Sequence, residues 1–113
     1  MPEYVLFSCL PTDRQPTQED MAAEYPKWQE FLEGLKDAGV FVDNRGLQGA
    51  DVATTVRVRD GETLITDGPF AETKEALAGY FLIRVDDLDT ALKYAALMPS
   101  AEYGAVEVRP VWG

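Results

Sequence analysis

The spacing of apolar residues along the chain changes character several times, and each change marks an element. Residues 3–9, EYVLFSC, are rich in strand formers and predict a first strand. LPTDRQP, 10–16, holds Pro11 and Pro16 and breaks it. Thr17 is placed to cap a helix, with Asp20 three residues on as a capping-box partner. Met21, Tyr25, Trp28, Leu32 and Leu35 then recur at spacings of four and three, widened by Phe31, as one face of a helix. Pro26 lies inside that pattern, so the helix either kinks or restarts there. Gly39 is its natural stop.

Residues 40–49, VFVDNRGLQG, predict a second strand. VATTVRVRDG, 52–61, alternates: Val56 and Val58 face one way, Arg57 and Arg59 the other. Asp60-Gly61 is the centre of a hairpin turn that returns the chain through TLIT, 63–66. A polar link, Thr66 to Glu72, leads to a strand at 79–85, GYFLIRV. Asp86 or Asp87 caps a second helix with Leu88, Ala91, Leu92, Ala95 and Met98 turned inward, and Pro99 stops it. AVEVRPVW, 105–112, alternates as a last strand.

Two βαβ-like units around a hairpin predict a single ferredoxin-like α+β sandwich over residues 1–113, an antiparallel sheet with both helices on one face. The other face would carry alternate residues of strands 3–9, 52–60, 79–85 and 105–112, many of them apolar. An apolar sheet face of that size is unusual in a monomer. A homodimer packed sheet to sheet is therefore expected, with a cleft between helix face, sheet and partner.

Composition narrows the function. Twenty acidic against ten basic side chains leave a charge of −10, and the basic ones form no stripe. Nucleic acid and anionic membrane surfaces are poor partners for such a chain. No apolar run reaches the roughly 18 residues of a membrane span, and no signal peptide is read, so a cytoplasmic location is expected. The chain has no histidine, which removes Ser-His-Asp and Cys-His chemistry and every histidine-containing metal site. Cys9, the one cysteine, reads as a small buried hydrophobe; a catalytic thiolate would want a base or helix N-terminus beside it. GLQGADVATT, 46–55, is not a phosphate-binding loop, because no helix starts after it. Asp86-Asp87 read as helix caps, not metal ligands. No cofactor or metal is expected.

The link TDGPFAETKEA is the chemically distinctive stretch. Asp67-Gly68-Pro69-Phe70 followed by Ala71-Glu72-Thr73-Lys74-Glu75, a strand opening Gly79-Tyr80, an acidic cap before an Ala-rich helix and a closing VEVRPV resemble the DGPF-type members of the YCII-related domain family. YVLF near the start and GVFVDNRGLQ extend the resemblance over essentially the whole chain. It implies a dimeric α+β-barrel of ferredoxin-like protomers. Many DGPF-type members look like companions of extracytoplasmic-function sigma factors in bacteria, and a few relatives on related folds are small-molecule enzymes, so the resemblance implies either role. Shorter members of the family carry a His–Asp pair proposed as catalytic; only the Asp has a counterpart here, Asp67.

Two roles fit Asp67. As a structural residue it accepts loop amides, while Pro69 stiffens the turn and Phe70 plugs the core or the dimer interface. As a functional residue it sits partly desolvated at the cleft mouth as a general acid or base. Phe70 then forms an apolar wall and Lys74 binds an anionic group. Strand position brings Arg45, Tyr80 and Tyr4 toward the same cleft. Glu72, Lys74 and Glu75 otherwise read as a solvated turn with weak ion pairs. The two functions carried forward are a small-molecule-binding or enzymatic dimer, and a non-catalytic regulatory or interaction module associated with a sigma factor.

Overall fold

The computed structural model describes residues 1–13 and 17–113. Six strands and two helices follow in the order β1 (Glu3–Pro11), α1 (Gln18–Asp37), β2 (Phe41–Gly46), β3 (Thr54–Arg59), β4 (Glu62–Asp67), β5 (Glu75–Arg84), α2 (Leu88–Ala96) and β6 (Ala105–Pro110). Four of the strands form an antiparallel sheet in the order β2-β5-β1-β6. This is the expected α+β ferredoxin-like arrangement, both helices on one face of an open sheet. At 19 Å across its thinnest axis, the molecule is one layer of sheet and one of helix.

Alternation along the two central strands explains the layering. On β1, Tyr4, Leu6 and Ser8 are buried under the helices, while Val5, Phe7 and Cys9 point to the other side and are only half-buried. Phe81 and Ile83 do the same on β5. From the helices, Phe31, Leu35, Ala91 and Ala95 close the core, with Met98 just beyond α2. The rings of Phe31 and Phe81 meet edge to face at 5.0 Å, and Trp28 stacks parallel to Phe81 at 6.1 Å. Among the described residues one polar pair lies inside: Ser8 Oγ donates to Ser100 Oγ at 2.9 Å, so neither buried hydroxyl is left without a partner.

The caps form as read. Thr17 and Asp20 make the reciprocal capping box of α1, and Asp87 accepts from the Thr90 amide at the start of α2. Gly39 follows α1 at φ 74°, where a Cβ would be strained. Helix α1 runs unbroken through Pro26. Pro26 and Ala22, whose carbonyl loses its donor, are both exposed, so water can take the orphaned acceptor. Pro16, expected among the strand-breaking residues, lies outside the described residues.

Several expectations need correction. Met21 and Tyr25 are exposed, because α1 extends past the sheet and only its second half, from Trp28 on, has anything to pack against. On α2 the inward stripe is Ala91, Ala95 and Met98, at spacings of four and three; Leu88 and Leu92 lie beside it, half out in solvent. Strand β2 ends at Gly46, and residues 47–53 become a loop with one 3-10 turn, Ala50–Val52. Strand β5 starts earlier than Gly79, since Glu75–Leu77 pair with Pro11–Cys9 after a register shift.

The largest correction concerns β3. It does not join the main sheet: β3 and β4 pair only with each other, as a two-stranded arm. Asp60 and Gly61 both take positive φ, 51° and 78°, the geometry of a tight two-residue hairpin turn. Alternation puts Thr54, Val56, Val58, Thr63, Ile65 and Asp67 on one face of the arm and Thr55, Arg57, Arg59, Glu62, Leu64 and Thr66 on the other.

Leu6 is wholly buried at the centre of β1. Leu6→Ala is expected to lower unfolding stability by about 2–5 kcal/mol, measured by urea denaturation; a loss under about 1 kcal/mol would contradict its central place.

Candidate functional site on the open sheet face

Opposite the helices, the sheet presents Val5, Phe7 and Cys9 from β1 with Tyr80 and Leu82 from β5, an apolar strip down the two middle strands. Charged side chains flank it. Among the described residues three ion pairs stand on this face: Asp43–Arg45 on β2 at 2.7 Å, Glu107–Arg109 on β6 at 2.6 Å, and Glu3–Arg84 across β1 and β5 at 2.7 Å. Each acid is answered by an arginine two residues on or one strand over. The Arg109 guanidinium also sits 5.7 Å from the Phe7 ring centre, over its face.

At the β1 C-terminal end of this face the loop 47–53, the base of the arm and the segment 69–77 rise around a cleft of about 1260 Å³. Phe7 and Cys9 form its floor, Leu47, Val52, Val56 and Leu77 its apolar walls, and Glu107 and Arg109 its far edge. Phe7 is paired across the strands with Tyr80, and Tyr80 with Arg45. The polar group Tyr80–Asp43–Arg45 therefore lies beside the cleft, next to its lining residues Phe7 and Gly46 and outside the lining itself.

In that group the Tyr80 hydroxyl donates to Asp43 Oδ2 at 3.1 Å, and Arg45 Nη1 donates to Asp43 Oδ1. The Tyr80 hydrogen bond, with help from the Asn44 backbone and Arg45, holds the Asp43 carboxyl below its ordinary value of 3.8. The same bond, then partial burial and the Asp43 charge, push the Tyr80 phenol above 10.0. Around neutral pH one is fixed as carboxylate and the other as phenol. Neither is poised to exchange a proton near pH 7, so the group suits recognition better than acid–base catalysis.

The residues singled out from sequence are not brought together as one site. Arg45 and Tyr80 join in the group just described, through Asp43, which the sequence reading passed over. Phe70 lines the cleft, but 78% of its surface is exposed, so it stands at the rim and plugs no core within the chain. Asp67 lies at the end of β4 opposite Thr54, exposed, and does not line the cleft; among the described residues its carboxylate has no hydrogen-bond or ion-pair partner. It is neither the desolvated acid nor the amide-capping residue expected. Lys74 enters no cleft wall either; its carbonyl accepts from Thr12. Tyr4 is buried under the helices at 8% exposure, because it alternates with Val5. Cys9, expected in the core, lies on the open face, where burial, then Glu107 and Glu75, push its thiol up and keep it an unreactive neutral group.

Other side chains shape the DGPF loop. Gly68 takes φ 103°, which only glycine adopts readily, and its amide donates to Ala53 O at 2.7 Å. Thr55 Oγ1 donates to Gly68 O at 2.7 Å and Arg57 Nη2 to Phe70 O at 2.9 Å. Thr12 Oγ1 donates to Thr73 O at 2.8 Å, and Thr73 Oγ1 to Glu75 O. Asp43, Glu107 and Arg109 were legible in principle: Asp43–Arg45 and Glu107–Arg109 are acid–base pairs two apart on strands, hence on one face.

An α+β protein with one sheet face uncovered and a polar group beside a large cleft is the class these features define. The sequence matches the YCII-related domain over residues 5–113, and the chain belongs to that family. It is also similar to an uncharacterized protein of Rhizobium meliloti (strain 1021), 49% identical over 61 residues, which is 52% of this chain. This chain spans about half, 49%, of that relative's length. Among the described residues no helix is long and apolar enough to cross a membrane.

Two outcomes are expected. A Cβ built on Gly79 would lie 2.6 Å from the Arg45 carbonyl oxygen. Gly79→Ala should force β2 away from β5, costing about 1–3 kcal/mol and breaking the Tyr80–Asp43 bond, seen as lost stability and a shifted Tyr80 signal by NMR. The second concerns pH. Asp43's folded value is lowered, so its contribution is complete above the unfolded carboxyl's value and fades as pH falls through the lower folded one. Tyr80's is raised, so its contribution is complete below the unfolded phenol's value and fades as pH rises through the higher folded one. The stability difference between wild type and Tyr80→Phe should therefore stay flat from about pH 4 to about pH 10 and shrink outside. A difference that changes between about pH 5 and pH 8 would contradict this assignment.

Proposed function

We propose that this protein is a small-molecule-binding dimer. The two open sheet faces meet, and the ligand lies between them over Phe7, Tyr80, Asp43 and Arg45. The hydrogen-bonded Tyr80–Asp43–Arg45 group, set at the edge of an apolar strip, is the observation that carries this reading. Apolar floors with a few placed polar groups are what small-molecule sites are built from. Docking of a second face would dry that group and strengthen its interactions. Phe7 and Leu82 favour a flat apolar body. Arg45 and Arg109 favour a carboxylate on it, and the Tyr80 hydroxyl oxygen can still accept from a ligand donor. The ligand class is therefore a small, preferably aromatic, carboxylate.

Thermal denaturation against a panel of aromatic and aliphatic carboxylates tests this. At about ten times its Kd a true ligand stabilises the wild type by about 1.4 kcal/mol and raises Tm by about 5 °C. The shift should vanish in Arg45→Ala and Tyr80→Phe and persist in Asp67→Asn. Equal shifts in all variants would put the ligand elsewhere. A panel with no stabilising compound would sink the small-molecule reading and turn attention to a protein partner such as a sigma factor.

A further inference from the structure

The β3–β4 arm is the least explained part of the molecule. Two strands alone are marginal in water, and among the described residues this pair is joined to no other strand. Its two faces differ. Thr55 and Arg57 on one face are half-buried and tied to the DGPF loop. On the other, Val56, Val58 and Ile65 stand 60%, 60% and 68% exposed. An apolar row on a protruding two-stranded arm invites association unless something covers it.

We propose that each arm clamps a second copy of the chain, its Val56–Val58–Ile65 face packing against the partner and closing the partner-facing side of the cleft. The inference rests on the sheet-to-sheet dimer proposed above and adds what completes it.

Three observations select a second copy as the occupant. The first is continuity: Thr54, Thr55 and Val56 at the base of the arm line the same cleft as Phe7 and Cys9, so the arm rises from the edge of the sheet face's own concavity. A body docked on the sheet lies within the arm's reach. The second is area. With strands about 4.8 Å apart and about 3.3 Å per residue, the four-stranded face covers only about 450 Å². A standard interface takes about 800 Å² from each partner. The arm face adds about 200 Å² on the same spacings, bringing the surface closer to that size. The third is charge. A chain of net charge −10 repels its own copy, yet on this face Glu3, Asp43 and Glu107 are each paired with an arginine. A paired rim around an apolar centre is the anatomy of a protein interface; the pairing lowers the repulsion between two acidic molecules, and among the described residues Asp67 on the arm face is left without an arginine. The cleft, at about 1260 Å³, also exceeds the roughly 300–1,000 Å³ of a small-molecule pocket, so a ligand alone would leave it partly open.

Sedimentation equilibrium on the full chain tests this. The wild type is compared with Val58→Lys/Ile65→Lys, which charges the apolar face, and with Leu64→Lys, which charges the opposite face of the same arm. The expected result is a wild-type dimer, a dissociation constant raised at least about 100-fold by the double substitution, and little change from Leu64→Lys, all with the same circular dichroism. A wild-type dimer that the double substitution leaves intact would overturn the arm's role and leave the sheet-to-sheet dimer standing. Equal weakening by Leu64→Lys would also overturn it, since the effect would not belong to the apolar face. A wild type that stays monomeric at tens of micromolar would bring down the clamp and the dimer together. Should the lysine variant fail to fold, Val58→Thr/Ile65→Thr keeps the strand propensity and is read in the same way.

Discussion

One constraint governs the molecule: both helices pack on the same face of β1 and β5. Leu6 and Ile83 are driven to complete burial on that side. Because strand residues alternate, the same packing forces Val5, Phe7, Cys9, Tyr80 and Leu82 to the opposite face. The register of the central pair cannot slip by one residue without exchanging the two sets. The hydrophobic core and the open face are therefore two consequences of one pairing, and what stabilises the fold also displays the candidate site.

The arm and the DGPF loop depend on that frame in a different way. Loop 68–74 has almost no buried apolar surface, so packing cannot hold it. Hydrogen bonds with neighbours do: Thr55 and Arg57 donate from the arm, the Ala53 carbonyl ahead of it accepts from Gly68, and Thr12 donates from just beyond β1. The arm's inner face is thereby fastened to the loop and the loop to the sheet, which fixes where the apolar outer face of the arm points. Asp67 and Pro69 are the conspicuous residues of the stretch, yet Thr12, Thr55 and Arg57 make the side-chain bonds that hold it.

Legibility in the sequence followed the strength of each local signal. The capping box at Thr17, the turn at Asp60-Gly61 and the aromatic face of α1 from Trp28 onward rest on short-range rules, and they stand where those rules put them. The helices' outer residues did not follow. Met21 and Leu88 satisfy helical spacing as well as Leu35 does, and only the limited extent of the sheet decides which are covered. Strand β3 illustrates the same limit. Its alternation identifies a strand but not its partner, because pairing with β4 alone or with the main sheet gives one pattern. For the site, Arg45 and Tyr80 were readable from strand position, whereas Asp67 attracted notice because its motif is distinctive, and a distinctive motif does not report which way a carboxylate faces. Asp43 was legible from its spacing to Arg45 but not from Phe41: β2 carries an extra residue, Val42, opposite β5, so alternation counted from Phe41 puts Asp43 on the wrong face.

The Tyr80–Asp43–Arg45 group shows why burial decides what a polar cluster is worth. In the single chain the Asp43–Arg45 pair is largely exposed, and such pairs contribute little. Its value would come from being covered. A second sheet face laid over it removes water, and an ionised carboxylate is then tolerable because a phenol and a guanidinium already satisfy it. A cluster arranged before docking offsets part of the desolvation penalty, because its partners are already in place when water leaves. The polar group, the apolar strip and the exposed arm face each look uneconomical in isolation. In the proposed dimer all three would lie on the inside of the assembly.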